Sequence, residues 1–209
     1  MTVVARPKVF IIIYTVYGHI YKMAQAIQKG LEKTGKVDVS LYQVNETLSK
    51  EILDKMGAPP KPDIPVITLD KLTEADAFLF GIPTRYGTAP AQIRAFFDAT
   101  GSLWAKGALH SKMAGTFFST ASQHGGQEST ALTLLTTFAH HGIIYVPFGF
   151  CHPYLTSNDE VIGGSAYGAG TITNGDGSRM PSDKELELAE FQGETFAKTV
   201  AQFFGKSSA

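Results

Sequence analysis

The sequence predicts an α/β protein built on a doubly wound, five-stranded parallel sheet with helices on both faces. Short apolar runs rich in β-branched residues recur along the chain, and most of them are followed by a stretch with helical spacing of apolar residues. Most runs are apolar almost throughout, as strands covered on both faces are. The right-handedness of crossover connections then leaves few possible topologies.

The elements follow in order along the chain. The predicted strands cover residues 9–14, 37–44, 77–82, 115–120 and 143–148, and the predicted helices cover residues 20–33, 91–99, 128–141 and 183–204. The second strand, "VDVSLYQV", alternates between polar and apolar residues, which is typical of an edge strand with one wetter face.

Two stretches fit no regular element. Residues 56–66, "MGAPPKPDIPV", are proline-rich and predict an extended surface connection. Residues 162–182, "IGGSAYGAGTITNGDGSRMPS", are rich in glycine and long for a structureless loop in a compact domain. Such loops are usually functional lids, interface arms or disordered segments.

Composition narrows the possible classes of function. A chain of 209 residues with 44% hydrophobic and 18% charged positions suits one domain over residues 1–209, with short unstructured ends near 1–7 and 205–209. A net charge of -1 without a dense Lys/Arg cluster disfavours nucleic-acid binding. The single Cys151 allows no intramolecular disulfide, and no spacing suggests a metal site. The amino-terminal apolar run is too short for a transmembrane segment, so we expect a cytoplasmic protein, with peripheral membrane contact left open.

The stretch "YTVYGHIYKMAQAI", residues 14–27, joins the first strand to the first helix. The connection carries Thr15, Gly18 and His19 but no acid and no Lys or Arg. In a doubly wound sheet this position feeds the ligand site, and free amides at a helix start can bind a phosphate without a cation. The GxxxxGK[ST] and GxGxxG patterns are absent, which argues against a triphosphate or a dinucleotide and favours a phosphate monoester. An ordinary βα turn fits these residues equally well when they are taken alone.

Two further loops follow the third and fourth strands. "GIPTRYGTAP" places residues 83–87 past the third strand, and "FFSTASQHGGQE" places residues 119–126 past the fourth. Taken alone, Arg85 suggests an ion pair at the surface, and Tyr86 suggests a residue that packs against its neighbours. Because the three loops meet at one edge of the sheet, together they favour a binding site with a phosphate pocket and room for a flat ring.

The strings "YTVYGHIYKMA", "GIPTRYG", "TGSLWAKGALHSK", "STASQHGGQE", "TTFAHHGI", "YGAGTI" and "GDGSRMPS" resemble those of the WrbA-type NAD(P)H:quinone oxidoreductases, in the same order, from about residue 8 to residue 203. The resemblance implies a flavodoxin-like fold with strand order 2-1-3-4-5, bound FMN, and NADH or NADPH as co-substrate. It implies two-electron reduction of quinones such as 1,4-benzoquinones to hydroquinones, with ping-pong kinetics. It further implies a homotetramer, or alternatively a dimer, to which residues 162–182 and the region of Trp104 contribute.

The resemblance also implies roles for the residues of the three loops. The first loop, matched to the FMN phosphate, comprises Thr15, Val16, Tyr17, Gly18, His19 and Ile20, with Tyr17 also matched to a nicotinamide position. The second loop, matched to the isoalloxazine ring, comprises Pro83, Thr84, Arg85, Tyr86 and Gly87. The third flavin loop comprises Ser119, Thr120, Ala121, Ser122, Gln123 and Gly125. His124 interrupts a run that is often glycine in the family, so the contacts of residues 122–126 stay open.

Four residues are expected to act above the ring. The quinone and nicotinamide pocket is matched by Tyr86, Trp104 and His140, and His140 is also expected to contact the cofactor. Arg85 is expected to stabilise the reduced ring. His140 could protonate or hydrogen-bond the quinone oxygen, or equally interact with its own helix dipole. His141 is expected to be structural. The alternative function is a flavin-binding electron carrier or regulatory scaffold without quinone turnover.

Overall fold

The computed structural model describes residues 5–205, which form a mostly parallel sheet with helices on both faces. The strands are β1 Lys8–Ile13, β2 Asp38–Gln43, β3 Ala77–Pro83, β4 Met113–Thr120, β5 Ile144–Tyr145, β6 Gly164–Ser165 and β7 Gly168–Ile172. The helices are α1 His19–Lys33, α2 Lys50–Lys55, α3 Leu69–Leu72, α4 Ala91–Asp98, α5 Gly101–Ala105, α6 Gln127–His141 and α7 Asp183–Phe204, with a 3₁₀ turn at Pro153–Leu155. No helix within this range is both long and apolar enough to cross a bilayer.

The prediction of the four main helices is confirmed to within one residue at each end, whereas α2, α3 and α5 were not predicted. Of the ends predicted to be unstructured, residues 5–7 and 205 lie outside regular elements. Residues 1–4 and 206–209 are outside the described part of the chain.

The sheet confirms the predicted fold class and departs from the predicted order at one edge. Strands run β2-β1-β3-β4 in parallel, and two short strands then share the next position. β5 pairs with the first residues of β4, at Met113 and Ala114, and β7 pairs with its last three. The predicted fifth strand, 143–148, is therefore too long. It stops because the next acceptor on β4, the Thr116 carbonyl oxygen, accepts from the Gln192 side-chain amide at 2.9 Å, and β7 lies beside the end of β4.

The segment 162–182 was predicted to lack regular structure, and this was wrong for residues 164–165 and 168–172, which form β6 and β7. Its strand β7 is "GAGTI", in which Gly168 lies so close to β4 that a Cβ atom would be 1.9 Å from the Thr116 carbonyl oxygen. A glycine-rich strand of low intrinsic β-propensity forms here because only glycine permits that approach.

Two apolar layers hold the helices on the sheet. Phe80, Phe97 and Phe138 belong to the layer under α4, α5 and α6, while residues such as Ile27 and Phe196 belong to the layer under α1 and α7. Because β1, β3, β4 and β7 all run parallel, their carboxyl ends and the loops after them lie at one edge of the sheet.

Candidate active site

The three loops predicted to form a site do converge, around a cavity of about 260 Å³ at the carboxyl edge of the sheet. Three groups of predicted residues line it: Thr15, Val16, Tyr17, His19 and Ile20 from the first loop, Pro83, Thr84 and Arg85 from the second, and Ser119, Thr120 and Ala121 from the third. A fourth segment, residues 173–177 after β7, completes the lining and was not predicted.

The first loop presents backbone amides to the cavity. Gly18 precedes α1 with φ 88°, and its N–H donates to the Thr15 hydroxyl at 3.1 Å. Within residues 5–205 the N–H groups of Tyr17, His19 and Ile20 have no protein acceptor, as expected for the first turn of a helix. A Cβ atom on Gly18 would meet nothing within 4 Å, so the space in front of the loop is open. These amides form an uncharged donor set suited to an anion.

A polar cluster behind the first loop fixes its backbone. The Lys61 ammonium donates to the Thr15 carbonyl oxygen at 2.6 Å and pairs with Glu46 at 2.5 Å, lying 4.5 Å from the centre of the Tyr14 ring. The Tyr14 hydroxyl donates to Glu46 at 3.0 Å. Burial, together with the Glu46 carboxylate, raises the pKa of Tyr14, which keeps the hydroxyl protonated as a donor.

Sequence reasoning missed this cluster. Lys61 comes from the proline-rich connection, far along the chain from Thr15, and Glu46 lies in the loop after β2. The only signal was the presence of a lysine among prolines, which by itself predicts a solvated charge.

The second loop is a two-residue hairpin. Arg85 and Thr88 exchange backbone hydrogen bonds of 2.8 and 3.0 Å across Tyr86 and Gly87, which have φ 53° and 74°. The hairpin is held on α6 by the Ser129 hydroxyl, which donates to the Gly87 carbonyl oxygen at 2.9 Å. Arg85 lines the cavity and makes no salt bridge among the described residues. Tyr86 is fully exposed, at 105%, so it has no packing role within one chain.

The third loop contributes only its first part. Thr120 donates through its hydroxyl to the Ser122 carbonyl oxygen at 2.8 Å and accepts from the Gln127 amide at 3.0 Å. Ala121 lines the cavity, whereas Ser122 and Gln123 are exposed and lie outside its lining. Gly125 donates its N–H to the Ser122 carbonyl oxygen at 3.0 Å and also lies outside.

The fourth segment, called here the 173–177 turn, closes the cavity beside α1. The His19 Nε2 atom lies 3.1 Å from the Gly177 carbonyl oxygen, and since a carbonyl only accepts, Nε2 carries the proton. Burial lowers the pKa of His19, which favours the neutral ring in this bond. The glycine-rich composition of residues 162–182 and the "GDGSRMPS" string were the sequence signals for this turn.

His140 and Trp104 do not reach the cavity of their own chain. His140 is exposed on the last turn of α6, roughly 20 Å along the helix axis from Gln127, whose side chain bonds Thr120 at the end of β4. Trp104 is 56% exposed on α5, on the same side of the sheet. The expected place of both beside the ring is therefore not met within one chain. The neighbouring His141 is buried with Nε2 2.8 Å from the Thr100 hydroxyl, consistent with a structural residue.

Comparison with known proteins identifies the family. Residues 7–151 match the model of the NADPH-dependent FMN reductases. An NAD(P)H quinone oxidoreductase of Candida albicans is 56% identical over 196 residues, spanning 94% of this chain and 98% of the relative. A quinone oxidoreductase of Triphysaria versicolor is 57% identical over 187 residues, spanning 89% and 91%.

Among solved structures, a flavodoxin, the WrbA-like protein from Agrobacterium tumefaciens, has a TM-score of 0.64 at 23% identity and spans 94% of this chain and 98% of that one. This similarity confirms the flavodoxin-like fold, and the sequence matches confirm the resemblance that the motifs indicated. The chain belongs to the NADPH-dependent FMN reductase family.

Proposed function

We propose that the protein is an FMN-dependent NAD(P)H:quinone oxidoreductase. The proposal rests on the open cavity at the edge of the sheet. The first loop presents to it backbone amides that have no acceptor within residues 5–205, next to Gly18, whose φ is positive, and two further loops at strand ends line the same cavity. Family membership and the names of the relatives support the same activity.

The residues present fit FMN. Uncharged amides and the Thr15 side chain at the start of α1 suit a phosphate monoester, and the cavity lining brings no lysine to a second phosphate. The second and third loops, with Pro83, Thr84 and Ala121, offer backbone and small side chains along which a flat ring can lie.

When bound, FMN would supply two-electron chemistry, accepting a hydride from NADH or NADPH and reducing a quinone to the hydroquinone in a second half-reaction. The protein would orient both substrates over one face of the cavity. The Arg85 guanidinium, which no carboxylate neutralises within residues 5–205, would offset the negative charge that accumulates in the site. His19, held neutral by burial, would keep its Nε2 proton on Gly177 and leave the amides to bind phosphate.

We propose further that the enzyme is a homotetramer, a dimer being the alternative, and that one subunit supplies residues to the site of another. Tyr86, Trp104 and Leu132 are large, exposed side chains carried on the α4–α6 side of the sheet or at its edge, as uncovered interface residues would be. His140 on the same side would then approach a neighbouring cavity and hydrogen-bond the quinone oxygen there. We also propose that residues 1–209 belong to one domain and that the protein acts in the cytoplasm.

Anaerobic stopped-flow tests the proposal. Protein loaded with FMN is mixed with NADH or NADPH while the flavin absorbance is followed, and is then mixed with 1,4-benzoquinone. We expect fast bleaching, fast reoxidation and parallel lines in double-reciprocal plots. Binding of FMN without bleaching by either nucleotide would reject the reductase and favour the electron carrier or scaffold.

A further inference from the structure

A buried carboxylate lies at the start of the last helix, next to the 173–177 turn. Glu185, the third residue of α7, is 0% exposed. Its carboxylate accepts hydrogen bonds from five groups: the N–H groups of Gly163, Ile172 and Ser182, the Thr171 hydroxyl, and the guanidinium of Arg179, at 2.8–3.2 Å. The negative charge is therefore fully paired and solvated by protein donors, the condition under which a buried ion is tolerated.

Arg179 connects this carboxylate to both ends of the turn. Its backbone N–H donates to the Thr173 carbonyl oxygen at 3.0 Å, closing the loop that contains residues 173–177. Its guanidinium donates to Ile172 at 2.5 Å, to Val161 at 3.1 Å and to Glu185 at 2.8 Å. The far side of the turn is held by the bond between His19 and Gly177.

Helix capping alone does not account for this arrangement. A capping box needs only the reciprocal bonds between Ser182 and Glu185, which are both present. The other donors come from residues 163, 171, 172 and 179, which flank the turn on both sides. Their common effect is to fix the segment that closes the cavity against the amino terminus of α1.

We propose that the Arg179–Glu185 pair is a positioning pair for the phosphate end of the cofactor site. It holds the 173–177 turn against His19, and His19 is part of the same first turn of α1 whose free amides bind the phosphate. The inference rests on the proposed FMN function. It predicts that loosening the pair weakens binding of the phosphate group and not of the flavin ring.

The test compares FMN with riboflavin, which lacks the phosphate, in fluorescence titrations of the full chain. Glu185→Gln and Arg179→Lys are expected to raise the Kd of FMN roughly tenfold, the effect of losing one hydrogen bond to a charged group. The Kd of riboflavin should change less than about threefold, well below that effect. Glu187→Gln, on the same helix but facing Tyr154, is the matched control and should change neither.

Tryptic cleavage after residue 179 gives a second readout that does not depend on catalysis. Bound FMN should slow this cleavage in the unsubstituted protein and much less in the two variants. If Glu185→Gln does not fold, Arg179→Lys decides, since it keeps a cation beside the carboxylate.

Equal weakening of FMN and riboflavin binding, or an unchanged Kd of FMN in a folded variant, would overturn the positioning role while leaving the proposed reductase intact. Failure of the unsubstituted protein to bind FMN would overturn both.

Discussion

Replacement of Gly18 by alanine separates the binding role of the first loop from its contribution to folding. The added Cβ meets nothing within 4 Å, so the cost is the backbone conformation at φ 88°, about 1–2 kcal/mol for a residue with a side chain. Alanine also restricts the unfolded chain, which offsets about 0.4–1 kcal/mol. The net loss is then about 1 kcal/mol, or a fall in Tm of about 2–4 °C for a chain of this size.

Gly35→Ala is the matched control. Gly35 has φ 61° and equally open surroundings, but it follows the end of α1, at the opposite edge of the sheet from the cavity. Both variants should lose similar stability in thermal unfolding. In FMN fluorescence titrations only Gly18→Ala should lose affinity, by about tenfold or more, because strain at residue 18 turns the amides away from the phosphate. Wild-type FMN affinity in Gly18→Ala would refute the amide-binding loop.

Three further predictions concern the surroundings of the site. Tyr86→Gly removes the strain of a side-chain-bearing residue at φ 53°, and the Tyr86 side chain is fully exposed. The Tm should therefore stay the same or rise by a few degrees while quinone turnover falls. A lower Tm in scanning fluorimetry would contradict this. Lys61→Met leaves Glu46 without its cation, so it should lower the free energy of unfolding in urea by about 1 kcal/mol and weaken FMN binding. The control Lys55→Met removes one partner of an exposed pair and should lower it by less than about 0.5 kcal/mol. Equal losses in the two variants would contradict the role of Lys61. Burial lowers the pKa of both His19 and His141 in the folded protein. As the pH falls below about 6.5, the unfolded chain therefore takes up protons before the folded one, and the FMN-free protein should lose stability. Equal midpoints of urea unfolding at pH 7.5 and pH 5.5 would refute this.

The central fold could be predicted because its signals are local. Apolar runs and helical spacing identify β1, β3, β4 and the four main helices without knowledge of their partners. The edge of the sheet could not be predicted in the same way. β5 ends because Gln192, 76 residues along the chain, donates to the Thr116 carbonyl oxygen of β4. β7 forms because Gly168 can approach the same carbonyl, again from a distant segment.

The same distinction between local signals and long-range contacts applies to the site. Residues that follow a strand, such as Thr15, Thr84 and Ala121, line the cavity as the sequence predicts, since parallel strands bring their own loops to one edge. Lys61 and Gly177 reach the site through contacts made across the fold, and no pattern in their neighbourhood specifies those contacts. His140 shows the opposite case, in which a family motif assigns to the site a residue that its own chain holds at the far end of α6.

The parts of the site that come from distant segments share one physical feature. Each is tied to the fold by a charged group whose charge is paired: Lys61 by Glu46, and the 173–177 turn by Arg179 with Glu185. A charged group that loses its partner away from bulk water is costly, so these segments have one favourable placement and lose it when the pair is broken. The ends of the first loop are already fixed by the strand before it and the helix after it, and Lys61 adds a bond to its Thr15 carbonyl oxygen. Substitutions in the ion pairs should therefore change how the cofactor is held while the sheet and its main helices remain folded.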